Sequence, residues 1–182
     1  MTALNEAEIA RYQRHIVLKE IGGAGQQKLK AARIALVGLG GLGHPVAQYL
    51  AAAGIGTLAL IDDDSVSLSN LQRQVLFSDN MLGQDKAPAV ADALGALNPH
   101  LHTHIHRKRL DEDNVDALLA PYDLVIDGSD NFATRLAVND ACFRGQKTLI
   151  SGAVARFDGQ VMTFKPWLKD ADGTPLPCYR SF

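Results

Sequence analysis

The chain has 182 residues, of which 47% are hydrophobic and 21% charged, and its formal net charge is -2. This size and composition are typical of one soluble globular domain with a substantial core. The near-neutral charge argues against a dedicated nucleic-acid or membrane surface, and no apolar run approaches the ~20 residues of a bilayer-spanning helix. The two cysteines make no disulfide framework and the first residues lack an export signal, so we expect a cytoplasmic protein.

Hydrophobic periodicity predicts helices that alternate with strands. The predicted helices cover 6–19, 26–32, 46–53, 84–97, 111–119 and 131–143, and the predicted strands cover 34–37, 57–61, 101–107, 124–127, 148–154 and 159–164. Gly22 and Gly23 are predicted to end the first helix. The alternation indicates an α/β fold, with a Rossmann-like, mostly parallel sheet, helices on both faces and an N-terminal helical extension. We predict N-terminal helices over 1–32, a nucleotide-binding α/β domain over 33–164 and a loop-like C-terminal segment over 165–182.

A glycine turn follows the first predicted strand and opens the next helix. Gly38, Gly40 and Gly43 match the dinucleotide-binding fingerprint, in which glycines allow a tight turn, a close phosphate approach and close helix packing. Gly41 adds one more N–H without side-chain obstruction. Asp62 directly follows the second strand, about 20 residues further on, where a carboxylate binds ribose hydroxyls. The turn alone could be merely structural, but this combination predicts a nucleotide site.

A long polar connection over 62–79 follows the second strand, and such loops are usually functional or disordered. It contains Arg73, and Lys86 lies just beyond it. Arginine and lysine side chains are normally solvated at the surface, but Arg73 and Lys86 lie in or just beyond a long loop that can fold back over the phosphates. A triphosphate that loses pyrophosphate needs cations where charge develops, and Asn70 and Gln74 can add uncharged donors. A redox dinucleotide needs much less positive charge, so these residues favour ATP over NAD.

Two acids mark the end of the strand over 124–127. Asp127 ends the strand, and Asp130 and Asn131 open the following helix. Asn131 or Ser129 can be explained as a helix cap, but two acids exceed the needs of capping. Because ligands of open α/β sheets bind at the carboxyl edge, Asp130 is predicted to bind Mg²⁺.

His102, His104 and His106 share one face of a predicted strand. Histidines at this spacing could form a transition-metal array. We interpret them instead as the wet side of an edge strand, with Leu101 and Ile105 turned inward.

Other polar residues are given structural interpretations. Lys108 and Arg109 extend a basic patch without aromatic side chains to stack on bases, so no RNA binding is predicted. Cys142 lies mid-helix and is interpreted as a buried small hydrophobe. Asp63 is interpreted as part of a solvated loop, whereas Asp64 could orient that loop or bind a metal ion.

Together these motifs resemble the ThiF/MoeB/HesA family, which is related to the adenylation domains of ubiquitin-activating enzymes. The resemblance is greatest to the molybdopterin-synthase adenylyltransferase type and covers nearly the whole chain. It rests on RYQRH at 11–15, the glycine turn at 38–43, Asp62, NLQRQ at 70–74, GQDK at 83–86, Asp130-Asn131, SGAV at 151–154 and PCYR at 177–180.

The resemblance implies ATP-dependent adenylylation of the C-terminal carboxylate of a ubiquitin-fold sulfur-carrier protein, with release of pyrophosphate. Molybdenum cofactor biosynthesis and other sulfur-transfer pathways could use this reaction. Gly41 and Asp62 would hold the nucleoside, and Asn70, Arg73 and Lys86 would bind the phosphates.

The resemblance adds roles that spacing does not show. It implies that Asp130 binds Mg²⁺ and that Arg14 reaches into the site of a neighbouring protomer, which requires a homodimer. Arg14 and Asp130 therefore join Arg73 and Lys86 as predicted catalytic residues. Family members often bind zinc through two Cys-x-x-Cys pairs, but here Ser181 follows Cys178 where a second cysteine would stand. One thiolate cannot build a tetrahedral site, so no zinc is expected.

Two alternative functions stay open at this point. An NAD-dependent oxidoreductase fits the glycine fingerprint, but it leaves the cations unexplained. A nucleotide-binding partner without turnover is suggested by the C-terminal segment, which is shorter than in the family. Either the chain is a fragment or that segment is naturally absent.

Overall fold

The computed structural model describes residues 3–181, so the ends of the predicted ranges 1–32 and 165–182 lie outside the described residues. The helices are α1 (Glu6–Ile16), α2 (Gly22–Ala31), α3 (Gly43–Ala53), α4 (Lys86–Leu97), α5 (Val115–Leu119) and α6 (Phe132–Arg144). The strands are β1 (Arg33–Val37), β2 (Thr57–Ile61), β3 (His102–His106), β4 (Leu124–Asp127), β5 (Thr148–Ala155) and β6 (Asp158–Phe164). Single 3₁₀ turns lie at Leu68–Asn70, Asp79–Met81 and Tyr179–Ser181. None of the helices in this range is long and apolar enough to cross a bilayer.

Within the described residues the strands form one six-stranded sheet in the order β3-β2-β1-β4-β5-β6. Strands β1 to β5 are parallel, and β6 is antiparallel to β5. This is the strand order of the Rossmann fold, and the order reverses between β1 and β4. At their carboxyl ends Val37 pairs with Asp127, so the crevice of the sheet opens beside these two residues. The predicted Rossmann-like fold is confirmed.

The central strands are buried on both faces because successive side chains point to opposite sides of the sheet. The side chains that pack towards α3 and α4 are Ile34, Leu36, Leu58 and Leu60. Those that pack towards α5 and α6 are Ala35, Val37, Ala59 and Ile61. Helices therefore cover both faces, which explains why these strands are unbroken apolar runs in the sequence.

A buried polar network fixes the two N-terminal helices to the ends of α3 and α4. The Asn98 amide donates to the Tyr12 hydroxyl and to the Ala51 carbonyl, both at 2.7 Å. The Gln26 amide donates to the Ala53 carbonyl at 2.9 Å. Because all three side chains are buried, each of these hydrogen bonds takes the place of a bond that the side chain makes with water in the unfolded chain. The position of α1 on the core is therefore well defined.

The predicted break between the first two helices was wrong. Helix α1 ends at Ile16, and Gly22 and Gly23 begin α2. Gly22 has a φ of 60°, a left-handed conformation that glycine adopts readily. The glycine is therefore used to start the second helix after a turn, and the sequence pattern placed that turn too late.

One expectation for β3 was also wrong. Leu101 is buried, but Ile105 is 44% exposed, because β3 lies at the edge of the sheet where helices cover the strand incompletely. His104 Nδ1 and His106 Nε2 lie 2.9 and 3.4 Å from the Tyr122 hydroxyl. In the described part of the chain no cluster of three metal-ligating side chains includes a histidine.

The C-terminal segment returns to the core beside α6. The Tyr179 N–H donates to the Asn139 side chain at 2.9 Å, and Arg180 forms a two-pronged ion pair with Asp140 at 2.6 and 2.8 Å. Cys142 in α6 is buried, and this burial raises the pKa of its thiol to about 12. It behaves as the small hydrophobe that the sequence predicted.

Candidate nucleotide-binding site

Two glycines of the turn are required by the chain itself. Gly38 has a φ of 81°, and a Cβ there would lie 2.9 Å from the backbone of Gly128 and Ser129. A Cβ on Gly43 would lie 1.8 Å from the Gly38 carbonyl oxygen. These contacts hold the start of α3 against β1 and the turn after β4, so the glycine turn is built by close backbone packing.

The middle of the turn is open towards the connection after β2. A Cβ on Gly40 would meet only the Gln74 amide, at 3.6 Å, and a Cβ on Gly41 would meet only Arg73, at 3.7 Å. These are ordinary contact distances. The Arg73 and Gln74 side chains therefore lie over the turn, as expected for groups that enclose phosphates between themselves and backbone N–H groups.

Asp62 links the end of β2 to the turn. One carboxylate oxygen accepts the Leu39 N–H at 2.6 Å and the other accepts the Asp64 N–H at 2.8 Å. Burial raises the pKa of the Asp62 carboxyl, and these two N–H groups and Lys86 oppose the shift. The carboxylate therefore lies beside the glycine turn, where it can accept ribose hydroxyls.

The start and the end of the connection after β2 pair with each other, and this pairing places Lys86 in the site. Ser65 forms an antiparallel bridge with Asp85, and Lys86 follows as the first residue of α4. The Lys86 side chain is 3% exposed, and its Nζ lies 2.9 Å from an oxygen of Asp64, which is 58% exposed. Asp64 therefore orients a buried ammonium group whose charge is little screened by water.

The 70–74 segment supplies further donors above the turn. Arg73 is exposed, and its Nη1 donates to the Ser69 carbonyl at 3.1 Å, while the Asn70 amide lies 3.4 Å from the Ser69 hydroxyl. Gln74 is buried, and its Oε1 has no partner among the described residues. A buried amide oxygen without a partner is costly in a protein interior, and Gln74 borders the same cavity as Arg73.

A buried charge cluster lies at the end of β4. Asp127, 1% exposed, accepts the N–H and hydroxyl of Ser129 at 3.0 and 2.6 Å and the Ser151 hydroxyl at 3.2 Å. Arg135 Nη1 lies 3.9 Å from the same carboxylate, and Nη2 donates to the carbonyls of Ser129 and Gly152. Burial raises the pKa of Asp127, whereas Ser129 and Arg135 oppose the shift. Arg135 thus ties together the ends of β4 and β5.

Asn131 is the N-cap of α6. Its side chain accepts the Thr134 N–H at 2.9 Å and caps α6. We expect Asn131→Ala to lower the free energy of unfolding by ~1 kcal/mol, as measured by urea denaturation. Asn131→Asp retains an accepting oxygen and should keep most of the stability. Equal losses in both variants would contradict the capping role.

A cavity of about 900 Å³ joins these elements at the crevice between β1 and β4. The predicted site residues on its walls are Gly38, Gly40, Gly41, Asp62, Asp64, Asn70, Arg73, Gln74, Lys86 and Asp130. No site role was predicted for the other wall residues, among them Leu42, Phe132, Arg135, Val154, Gln160 and Tyr179. The cavity therefore extends from the glycine turn to the β5–β6 hairpin.

Three predicted residues lie elsewhere. Gly43 packs behind the turn, and Asn131 borders an adjoining hollow of about 60 Å³ that also touches Asp62 and Asp130. Arg14 is exposed on α1 and lines neither space. A role for Arg14 in this chemistry therefore needs a second copy of the chain.

Carboxylates offer two places for a divalent cation. Asp130 is exposed at the border of both spaces. Oxygens of Asp62, Asp63 and Asp64 lie within 4.8 Å of one another, although Asp63 pairs with Arg109 at 3.2 Å. Carboxylate oxygens suit Mg²⁺, and Asp130 is the one of these acids whose carboxylate has neither an ion pair nor a hydrogen bond among the described residues.

Comparison with known proteins decides the family. The ThiF family model matches residues 12–182. The chain belongs to the ThiF family. This confirms the resemblance drawn from the glycine turn, Asp62 and the 70–74 and 83–86 segments.

Curated relatives of this ThiF-family chain include the molybdopterin-synthase adenylyltransferase of Escherichia coli K12, 45% identical over 99% of the chain and 70% of the relative. The sulfur carrier protein adenylyltransferase of Thermus thermophilus is 46% identical over 95% of the chain and 63% of the relative. The probable adenylyltransferase/sulfurtransferase MoeZ of Mycobacterium tuberculosis is 44% identical over 94% of the chain and 43% of its own length. The chain thus spans between 43% and 70% of the length of these three relatives.

Solved structures show the same ThiF-type arrangement. The E. coli tRNA N6-threonylcarbamoyladenosine dehydratase TcdA, in complex with ATP, aligns with a TM-score of 0.80 and 28% identity. The alignment covers 86% of this chain and 65% of TcdA.

Proposed function

We propose that this chain catalyses ATP-dependent adenylylation of the C-terminal carboxylate of a ubiquitin-fold sulfur-carrier protein, with release of pyrophosphate. The observation that carries the proposal is the 900 Å³ cavity, which combines a glycine turn, the Asp62 carboxylate and the cations Lys86 and Arg73. The names of the relatives, which include a sulfur carrier protein adenylyltransferase and a molybdopterin-synthase adenylyltransferase, support the same reaction.

The cations favour a triphosphate over a redox dinucleotide. Lys86 is almost fully buried beside the glycine turn, Arg73 lies over Gly41, and Arg135 borders the far wall. A leaving pyrophosphate carries more charge than the bridging pyrophosphate of NAD, so it needs several cations in reach. An NAD-dependent oxidoreductase would leave Lys86 without a role.

The reaction needs positioning more than proton transfer. A carboxylate oxygen of the carrier forms a bond to the α-phosphorus, and the bond from that phosphorus to the bridging oxygen of the β-phosphate breaks. The carrier carboxyl is already ionised at neutral pH, so no general base is required. Charge that develops on the leaving pyrophosphate is stabilised by Lys86 and Arg73, and alignment of the two reactants supplies the remainder.

We propose that Asp130 holds Mg²⁺. When bound there, the ion would neutralise phosphate charge and fix the geometry of the triphosphate. Asp130 fits this role because its exposed carboxylate borders the cavity, and because the turn that carries it is fixed by the bonds of Arg135 to Ser129 and Gly152.

We further propose a cytoplasmic homodimer in which Arg14 reaches the cavity of the neighbouring protomer. In support, Arg14 is exposed, and α1 is held on the core by the bond between Asn98 and Tyr12. We propose no nucleic-acid or membrane partner, and no zinc, because Ser181 lies 3.9 Å from the Cys178 sulfur at the place of a second thiolate.

The decisive experiment is ATP–pyrophosphate exchange in the presence of ubiquitin-fold proteins that end in Gly-Gly. We expect exchange with the wild type and at least tenfold less with Arg73→Ala, which corresponds to about 1.4 kcal/mol. Arg144→Ala removes an exposed arginine of α6 paired with Asp116 and should exchange normally. ATP binding without exchange for any carrier would indicate a non-catalytic nucleotide-binding partner. NADH binding that ATP does not displace would indicate an oxidoreductase.

A further inference from the structure

One buried side chain beside the glycine turn has no role in the proposed adenylylation. His44, in the first turn of α3, is 0% exposed. Its Nδ1 lies 2.7 Å from the Gly40 carbonyl oxygen, which also accepts the His44 backbone N–H at 3.2 Å. The Phe77 ring lies against the imidazole, with centroids 6.1 Å apart.

These contacts determine the tautomer of His44. A carbonyl oxygen only accepts hydrogen bonds, so the proton of the bond to Gly40 must be on Nδ1. Nε2 is buried and has no partner in residues 3–181. A proton on Nε2 would be a buried donor without an acceptor, which is costly. The hydrogen-bond partners therefore assign the ring proton to Nδ1.

The same bond orients the Gly40–Gly41 peptide. No peptide bond in the described range is cis, and in a trans peptide the C=O and the N–H point in opposite directions. Because the Gly40 oxygen points to His44, the Gly41 N–H points away from it. Gly41 borders the 900 Å³ cavity, and its N–H meets no protein acceptor among the described residues.

We propose that His44 is a positioning residue that fixes the Gly40–Gly41 peptide so that the Gly41 N–H donates to a phosphate oxygen of the nucleotide. A peptide between two glycines is otherwise free to rotate, because neither residue carries a Cβ that restricts its dihedral angles. A second hydrogen bond to the Gly40 oxygen removes that freedom before the nucleotide binds. This inference rests on the proposed function for the identity of the ligand.

Three substitutions distinguish the effect of the His44 Nδ1–H donor from the effect of the side-chain volume. The amide nitrogen of His44→Asn lies near the position of Nδ1 and keeps the bond to Gly40. His44→Gln places its amide near Nε2 and loses that bond, and His44→Leu removes both nitrogens. The test measures the Kd of ATP and of adenosine by titration calorimetry, which needs no carrier protein, together with the Tm of each variant.

We expect His44→Asn to bind ATP within twofold of the wild type. His44→Gln and His44→Leu should bind ATP about fivefold more weakly, the effect of one neutral hydrogen bond. Adenosine has no phosphate for Gly41 to contact, so its Kd should stay unchanged in all three. A variant that is merely misfolded would lose both ligands and show a lower Tm.

A spectroscopic measurement tests the geometry independently. The ¹⁵N signals of His44 should show a protonated Nδ1 and an unprotonated Nε2 at neutral pH. A proton on Nε2, wild-type ATP affinity in His44→Leu, or equal losses in His44→Asn and His44→Leu would overturn the proposal. If ATP–pyrophosphate exchange is absent but the His44 variants still change ATP affinity as expected, only the proposed adenylylation is refuted. A wild-type protein that does not bind ATP would overturn both.

Discussion

Replacing Lys86 with methionine is expected to lower the kcat of ATP–pyrophosphate exchange on the order of 100- to 1,000-fold, the usual cost of removing one group that stabilises transition-state charge. The ammonium group is 3% exposed and held by Asp64 at 2.9 Å. In the proposed reaction, the charge that develops on the departing pyrophosphate would meet this fixed cation in surroundings of lower effective dielectric than water. Methionine keeps the length and bulk of the side chain and removes only the charge.

Stability separates this catalytic role from a structural one. Asp64 is 58% exposed, so water solvates its carboxylate when Lys86 is replaced, and the free energy of unfolding should change by no more than about 1 kcal/mol. Lys169→Met changes an exposed lysine of the C-terminal segment and should leave exchange and stability unchanged. A fall in Tm that accounts for the lost activity, or an unchanged kcat in Lys86→Met, would contradict the assignment.

The part of the candidate site around the glycine turn was predictable because its signals are local. Val37 ends an apolar run, the glycine turn follows directly, and Asp62 directly follows the next strand of the same type. In a parallel sheet such ends meet at one edge, so sequence order alone brings the turn beside Asp62, whose carboxylate accepts the Leu39 N–H. Lys86 could be expected there because the connection that precedes it is long and polar.

Arg135 could not be found in the same way. In the sequence it is an arginine in a helix, which most often indicates an exposed face. Its burial arises from contacts with Asp127, Ser129 and Gly152, which lie on two other strands or their turns. The only local signal was its place one turn after Asp130-Asn131. The exposure of Ile105 was missed for a related reason, because alternation along β3 does not reveal that β3 lies at the sheet edge.

The second large effect is expected from Arg135→Met. Asp127 is 1% exposed, and the substitution leaves its carboxylate without a cation, so the free energy of unfolding at neutral pH should fall by about 3–5 kcal/mol. Arg144→Met is the matched control in the same helix. Its ion pair with Asp116 is exposed on both sides and should contribute less than about 1 kcal/mol. Urea denaturation of both variants measures the difference.

The pH dependence of this loss identifies its cause. Burial raises the pKa of Asp127 in the folded protein, and Arg135 opposes that shift. A raised folded-state pKa means that the folded protein binds more protons than the unfolded one between the two pKa values, so stability falls as pH rises through that interval. Without Arg135 the folded pKa rises further and the interval widens.

The difference in stability between the wild type and Arg135→Met should therefore be largest near neutral pH and shrink as the pH is lowered, because protonated Asp127 no longer needs a cation. Urea denaturation at several pH values between neutral and mildly acidic conditions measures this trend. A constant difference across that range would mean that Arg135 acts through its bonds to the Ser129 and Gly152 carbonyls. In that case the arginine holds the turn that carries Asp130. Arg135→Met would then weaken the Mg²⁺ dependence of exchange, and the charge of Asp127 would play no part in this effect.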